Sequence, residues 1–269
     1  MFIYGLIILW FSMDNDLNGV SQTVSIRLEG IHKELGTQKV LRGVNLDIFA
    51  GETIVLIGAS GGGKSVILKH ITGLMRPDSG RVIIGNQDIS ELNEKGLSAI
   101  RQKIGVLFQN GALFDSMSVG QNVAFPLRER GEKNIKTLTE KVTKALSLVG
   151  LEEHINKMPS ALSGGMRKRV ALARAMIAKP ESILYDEPTA GLDPVSTGSI
   201  DSLIIQMQKD YGITSVVVTH DMKSARSIAD RIAFLRKGSV YFCGTPEEMD
   251  SSEDPIITNF INGLPSEEL

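Results

Sequence analysis

The run Thr53-Ile54-Val55-Leu56-Ile57, followed at once by Gly58-Ala59-Ser60-Gly61-Gly62-Gly63-Lys64-Ser65, constrains this chain more than any other segment. Five residues of this kind in a row read as a short strand buried on both faces. The loop after it fits G-x-x-x-x-G-K-[ST], and a helical pattern begins at Lys64. Small residues let main-chain N–H groups close around phosphate oxygens, and the positive end of the following helix favours their charge. In that setting Gly58, Ala59, Ser60, Gly61, Gly62, Gly63, Lys64, Ser65 and Val66 surround a nucleotide. Lys64 reaches the β- and γ-phosphates and the Ser65 hydroxyl binds Mg2+. A glycine-rich turn that happens to contain lysine is the competing reading, and it leaves the strand–loop–helix order unexplained.

The motif defines a P-loop NTPase, and the rest of the chain agrees with an α/β fold. Val24 to Leu28 and Val40 to Phe49 alternate apolar and polar residues as half-buried antiparallel strands do, with Gly36-Thr37 as the turn. Strands are expected at Val82 to Ile84, Ile104 to Phe108, Ser182 to Tyr185, Ser215 to Val218 and Arg231 to Leu235. Helices are expected over Arg167 to Ala178, Ser196 to Lys209 and Met222 to Ala229. Strands alternating with helices imply a mainly parallel sheet with helices on both faces. From Pro126 to Pro159 the chain turns charged and helical, and Leu138, Val142, Ala145, Leu146 and Val149 form one apolar stripe. A helical subdomain of about residues 110–178 therefore interrupts the sheet.

Two further segments carry chemistry. Ser182-Ile183-Leu184-Tyr185-Asp186-Glu187 is an apolar strand ending in adjacent carboxylates. The carboxyl ends of parallel strands line the ligand crevice, so Asp186 can hold Mg2+ while Glu187 faces the water that attacks the γ-phosphate. Asp-Glu pairs are common in solvated loops, but here Pro188 and the loop Thr189-Ala190-Gly191-Leu192-Asp193-Pro194 come directly after. Leu162-Ser163-Gly164-Gly165-Met166 opens another helix, and a Ser followed by two Gly at a helix start is a second anion site. One P-loop cannot use two such sites on one nucleotide. The economical solution is that Ser163, Gly164, Gly165 and Met166 cap a γ-phosphate held by another copy of the chain. Arg167-Lys168-Arg169, just after it, reads as a solvated charged face.

Composition removes other classes. With 29 basic and 31 acidic residues interspersed, the chain has no basic nucleic-acid surface. A single cysteine, Cys243, suits a reducing compartment. Residues Met1 to Phe11 are almost wholly apolar, yet as a helix they would rise only ~16 Å, about half of the ~30 Å hydrocarbon thickness. Three readings stay open for them: an over-extended start with translation beginning at Met13, an anchor against a membrane partner, or a buried helix. No later segment is apolar for long enough to span a bilayer, so any service to a membrane comes from the side.

The ordered set of motifs resembles the nucleotide-binding subunit of ABC transporters over residues 24–245. It comprises the P-loop at 58–65, Gln109 after a strand, LSGGM at 162–166, the strand and carboxylates at 182–187, Ala190-Gly191-Leu192-Asp193, and His220. The resemblance implies an ABC-type ATPase with a mainly parallel core sheet, a small antiparallel β subdomain and an inserted helical subdomain, followed by a tail over 246–269. It implies that Gln109 touches Mg2+ and the membrane subunit. His220 then lies near the γ-phosphate, and Asp193 belongs to a loop crossing a homodimer that encloses two ATP. Leu35 stands where the family usually has an aromatic residue that stacks on adenine, so stacking is lost. The segments Phe108 to Met117 and Asn122 to Glu129 are densely apolar for a surface, which suits docking of a partner. Together with Met166 and Tyr185-Asp186-Glu187-Pro188 they resemble the ATPase of Mla-type phospholipid transporters. This second resemblance implies a permease of the MlaE kind, an MCE lipid-binding protein, a STAS-domain regulator, and a peripheral place on the cytoplasmic face of the inner membrane. An ABC importer for amino acids or ions shares every catalytic motif and is the alternative. An ABC protein of translation or DNA repair would need paired domains or a long coiled coil.

Overall fold

The computed structural model describes residues 23–264, so the apolar start and Met13 lie outside the described residues. Two sheets organise the chain. The larger comprises β3 (Thr53–Gly58), β6 (Ile104–Leu107), β7 (Ser182–Asp186), β8 (Thr214–Val218), β9 (Arg231–Arg236) and β10 (Ser239–Gly244). Its order is β10-β9-β3-β8-β7-β6, parallel throughout except for β10. The smaller sheet is antiparallel, with order β2-β1-β4-β5, built from β1 (Val24–Leu35), β2 (Gln38–Phe49), β4 (Ser79–Ile84) and β5 (Gln87–Asp88). The β1–β2 hairpin pairs Leu35 with Gln38 across the expected Gly36-Thr37 turn.

The core arises from the period of two along each strand. In β3, Ile54 and Leu56 point into one apolar cluster while Val55 and Ile57 point into another. Leu184 against Ile183 and Tyr185, and Ala233 and Leu235 against Ile232 and Phe234, divide the same way. Every residue of β3 is buried, as a strand covered on both faces must be. Helices α1 (Lys64–Ile71) and α2 (Glu94–Arg101) share the first cluster with the antiparallel sheet. Helices α3 (Val119–Glu129), α4 (Ile135–Ser147), α5 (Gly164–Met176), α6 (Pro194–Tyr211) and α7 (Met222–Ile228) fill the second. One face of the parallel sheet is thus covered largely by a second sheet rather than by helices alone. The apolar side of that second sheet is legible in the alternation of β1 and β2.

Helix α3 starts seven residues before Pro126, where the expected helical character begins. Ser118 caps it: its Oγ accepts from the Gln121 N–H at 3.3 Å, and the Ser118 N–H donates to Gln121 Oε1 at 2.8 Å. The stripe of α4 is buried as expected, although Val149 lies past the helix end at Ser147. Strand β10 and helices α8 (Pro246–Asp250) and α9 (Pro255–Ile261) continue the fold beyond Leu235. Met249 and Ile257 enter the second cluster, and the Phe260 ring lies 4.5 Å from that of Phe234. Among the described residues no helix is long and apolar enough to cross a membrane.

Candidate functional site

Lys64 is the first residue of α1, and the residue before it, Gly63, has φ 96° and supplies no side-chain cap. A Cβ at Gly63 would stand 2.6 Å from Leu41 Cδ2, so glycine alone fits both the backbone and the packing. With no cap, the first amides of the helix remain available to an anion. Lys64 is 9% exposed, and its ammonium donates to the carbonyls of Gly58 and Ala59 at 2.8 and 2.9 Å. Burial lowers its pKa, while Glu187 and Asp186 pull it back up. Beside the loop a cavity of about 480 Å³ is lined by Ala59 to Gly62, by Gln38 to Val40 with Arg42, and by Phe234 to Gly238. Basic side chains on its walls match a polyphosphate. Leu35 is 42% exposed on the same hairpin and does not line this cavity.

Strand pairing brings the carboxylates to the loop. β7 runs beside β8, setting Asp186 opposite Val218. The Ser65 hydroxyl donates to Asp186 Oδ1 at 3.0 Å although 121 residues separate them. Two hard oxygens at that spacing fit the partial protein ligation typical of Mg2+, which otherwise keeps phosphate and water ligands. Glu187 has φ 50°, in the left-handed region, and its N–H donates to the Val218 carbonyl at 2.9 Å. Its Oε2 is buried and lacks a hydrogen-bond partner among the described residues. His220 Nδ1 lies 2.9 Å from that oxygen, near enough to pair electrostatically though not aligned as a hydrogen bond. His220 comes just after β8 and is itself exposed; the next residue, Asp221, caps α7 by accepting from the N–H groups of Lys223 and Ser224.

Of the remaining predicted residues, Ser163, Asp193 and Gln109 are exposed, Gly164 and Met166 half-buried and Gly165 buried. Ser163 caps α5, its Oγ accepting from the Met166 N–H at 3.3 Å. A Cβ at Gly165 would meet Ser196 Oγ at 3.1 Å, so this glycine is also set by packing against the start of α6. Asp193 caps α6 through the N–H groups of Val195 and Ser196, both at 3.0 Å, and accepts from the Ser196 hydroxyl at 2.6 Å. The bond from Ser196 holds its carboxyl below the ordinary range. Gln109 is exposed just beyond β6. The segment after it is pinned by Asn122, fully buried, whose amide donates to the carbonyls of Phe114, Met117 and Ser118. Phe108 and Phe114 stay 44% and 41% exposed beside Gln109.

One expectation is overturned. Lys168 does not belong to a solvated face: it is 5% exposed and inserts between two site loops. Its Nζ donates to the Gln109 carbonyl and, at 3.0 Å, to the Glu187 carbonyl. Arg167, by contrast, is exposed and bonds only its own helix start, at the Leu162 carbonyl. Burial lowers the Lys168 pKa, and Glu187 and Asp186 oppose that shift. Nothing in the flanking Arg167 and Arg169 singles Lys168 out in the sequence.

The fold and the loop define a P-loop nucleotide hydrolase. The ABC transporter family profile matches residues 41–190, more than half of the chain, and the chain belongs to that family as an ATP-hydrolysing subunit. It is 43% identical over 240 residues to the probable ribonucleotide transport ATP-binding protein Mkl of Mycobacterium leprae, covering 89% of this chain and 69% of that one. It is 40% identical to protein trigalactosyldiacylglycerol 3, chloroplastic, of Arabidopsis thaliana, covering 89% and 74%. It is equally 40% identical to the methionine import ATP-binding protein MetN of Xanthomonas axonopodis, covering 83% and 68%. Among solved structures, the dimeric ATP-binding cassette MJ0796 in a post-hydrolysis state with ADP and Pi superposes with a TM-score of 0.75 at 34% identity, covering 82% of this chain and 98% of that one. Cassettes of this family dimerise and serve membrane permeases.

Proposed function

We propose that this chain powers a phospholipid transporter of the Mla type, as a homodimer that encloses two ATP. It would sit peripherally at the cytoplasmic face of the inner membrane. The observation that carries the hydrolytic part is the buried, unpartnered Glu187 Oε2 within 2.9 Å of His220, across the sheet end from the Ser65–Asp186 pair. Glu187 accepts the proton of the attacking water, and His220 steadies the carboxylate and the γ-phosphate. Lys64 and the amides of residues 58–66 hold the triphosphate. Ser65, Asp186 and Gln109 would hold Mg2+, which when bound neutralises charge on the β- and γ-phosphates. Ser163, Gly164, Gly165 and Met166 complete the site of the other copy, with Asp193 crossing between them.

The lipid assignment is supported by the apolar Phe108–Phe114 surface beside Gln109 and by a relative whose name carries a galactolipid. An MlaE-like permease would dock there, with an MCE lipid-binding protein and a STAS-domain regulator in the same assembly. The amino-acid importer reading draws on the MetN relative at equal identity. The deciding experiment is purification of the tagged chain with its permease from native membranes, followed by analysis of co-purifying lipid. A lipid-carrying complex with an MlaE-like permease supports the proposal; a permease that binds an amino acid overturns it.

A further inference from the structure

Helix α5 carries the proposed trans-acting loop at its start, and two basic residues of its body, Lys168 buried and Arg174 half-buried, grip the site loops of the same chain. Arg174 donates to the carbonyls of Gly111 and Ala112 at 2.8 and 2.7 Å. Lys168 donates to the carbonyls of Gln109 and Glu187. Ala112 and Glu187 share a second property: both are non-glycine residues in the left-handed region, at φ 46° and 50°. That conformation is disfavoured for an L-residue and persists only where neighbours over-determine it. Four non-glycine residues among the described residues lie in that region, Lys179 and Lys237 being the others, and the carbonyls of Ala112 and Glu187 are held by cations from α5. At Glu187 the conformation turns the side chain away from the direction a regular strand continuation would give, so the same twist that strains the backbone sets where the carboxylate points.

We propose that Lys168 is a positioning residue for hydrolysis: by binding the Gln109 and Glu187 carbonyls together, it fixes the backbone twist that aims the Glu187 carboxylate and ties that aim to the Gln109 loop and to the placement of α5. Lys168 acts through Glu187, so the inference rests on the role proposed for that carboxylate. The helix that carries Ser163 at its start is also the one that holds the Glu187 carbonyl of its own chain. Docking at one site is thereby felt at the other.

The test uses the full chain with Lys168→Met, which keeps length and apolar stem but removes the donor, and Lys168→Arg, which restores a donor. Steady-state ATPase kinetics, equilibrium ATP binding and Tm are measured on each, alone and combined with Glu187→Gln. The expected result is a kcat at least tenfold lower in Lys168→Met, with KM and ATP affinity within threefold of the parent and with partial recovery in Lys168→Arg. In the Glu187→Gln background Lys168→Met should lower residual turnover less than twofold, since effects passing through one group are not additive. A kcat within twofold of the parent overturns the inference, as does a full tenfold loss in the Glu187→Gln background. If Lys168→Met folds poorly, the same comparison is made with Lys168→Leu, which also lacks a donor, and the same two results decide. Normal turnover in Glu187→Gln alone would instead strike the role of Glu187, a failure distinguishable from one confined to Lys168.

Discussion

The two anion-binding loops of this chain are built from similar residues and finished in different ways. The loop after β3 is closed within the chain. Its lysine is buried, its serine is bonded to Asp186 on a distant strand, and the helix after it has no side-chain cap. In the loop at the start of α5, Leu162 to Met166, only Ser163 is exposed, and it already caps its helix start, as Asp193 caps the start of α6. The first loop carries its metal and water-facing partners on neighbouring strands of one sheet. The second packs against Leu192 before α6 and Ser196 within it. In the proposed homodimer such a divided site is completed when a second copy brings the capped loop to the uncapped one.

Four substitutions break or sharpen that contrast. The largest effect is expected at Glu187→Gln, which should keep ATP binding, trap the closed dimer and lower turnover by roughly 10²–10⁴-fold, the range of a general base. Single-turnover hydrolysis and gel filtration with ATP measure both, and normal turnover would remove Glu187 from its role. Lys64→Ala should weaken ATP binding by about ten- to a hundredfold, as loss of charge-assisted hydrogen bonds does. Titration calorimetry reads it directly; unchanged affinity would count against the cradle. The third tests the divided site itself. Lys64→Ala and Ser163→Arg should each be inactive alone, yet an equal mixture should regain about a quarter of parental turnover, because half of randomly formed dimers carry one intact site. No recovery on mixing would mean that the two loops do not meet across copies. The smallest effect is expected at Leu35→Tyr. Leu35 does not line the cavity beside the P-loop, so ATP affinity should move less than threefold. A tenfold gain would show that the base reaches this residue and that stacking, worth roughly 1–3 kcal/mol, had been forgone.

Much of this arrangement is legible in the sequence because it is local. The buried run Thr53 to Ile57, the glycines after it and the start of a helix at Lys64 are consecutive residues obeying short-range rules. The β1–β2 turn and the α4 stripe are equally plain. Two kinds of feature are not. Helix α3 and the tail helix α8 announce themselves through Ser118/Gln121 and Thr245/Glu248, pairs three residues apart that sign a helix start but are weak beside an interior proline or a polar tail. Lys168 cannot be read from its neighbours at all. Flanked by Arg167 and Arg169, it differs from them only in facing two carbonyls that lie 59 and 19 residues away.

The sequence by itself determined the phosphate cradle, the strand that ends in Asp186-Glu187, the order of the motifs and hence the family, since each depends on residues adjacent in the chain. Only the tertiary structure decided which groups meet. It decided that Ser65 reaches Asp186, that His220 comes to Glu187, and that one lysine of a basic triplet is buried where its sisters are not. The physical reason is that a helix or turn is fixed by the energetics of a few successive residues, whereas burial and a hydrogen bond across the sheet depend on strand order and register. Those are settled by packing of the two apolar clusters as a whole.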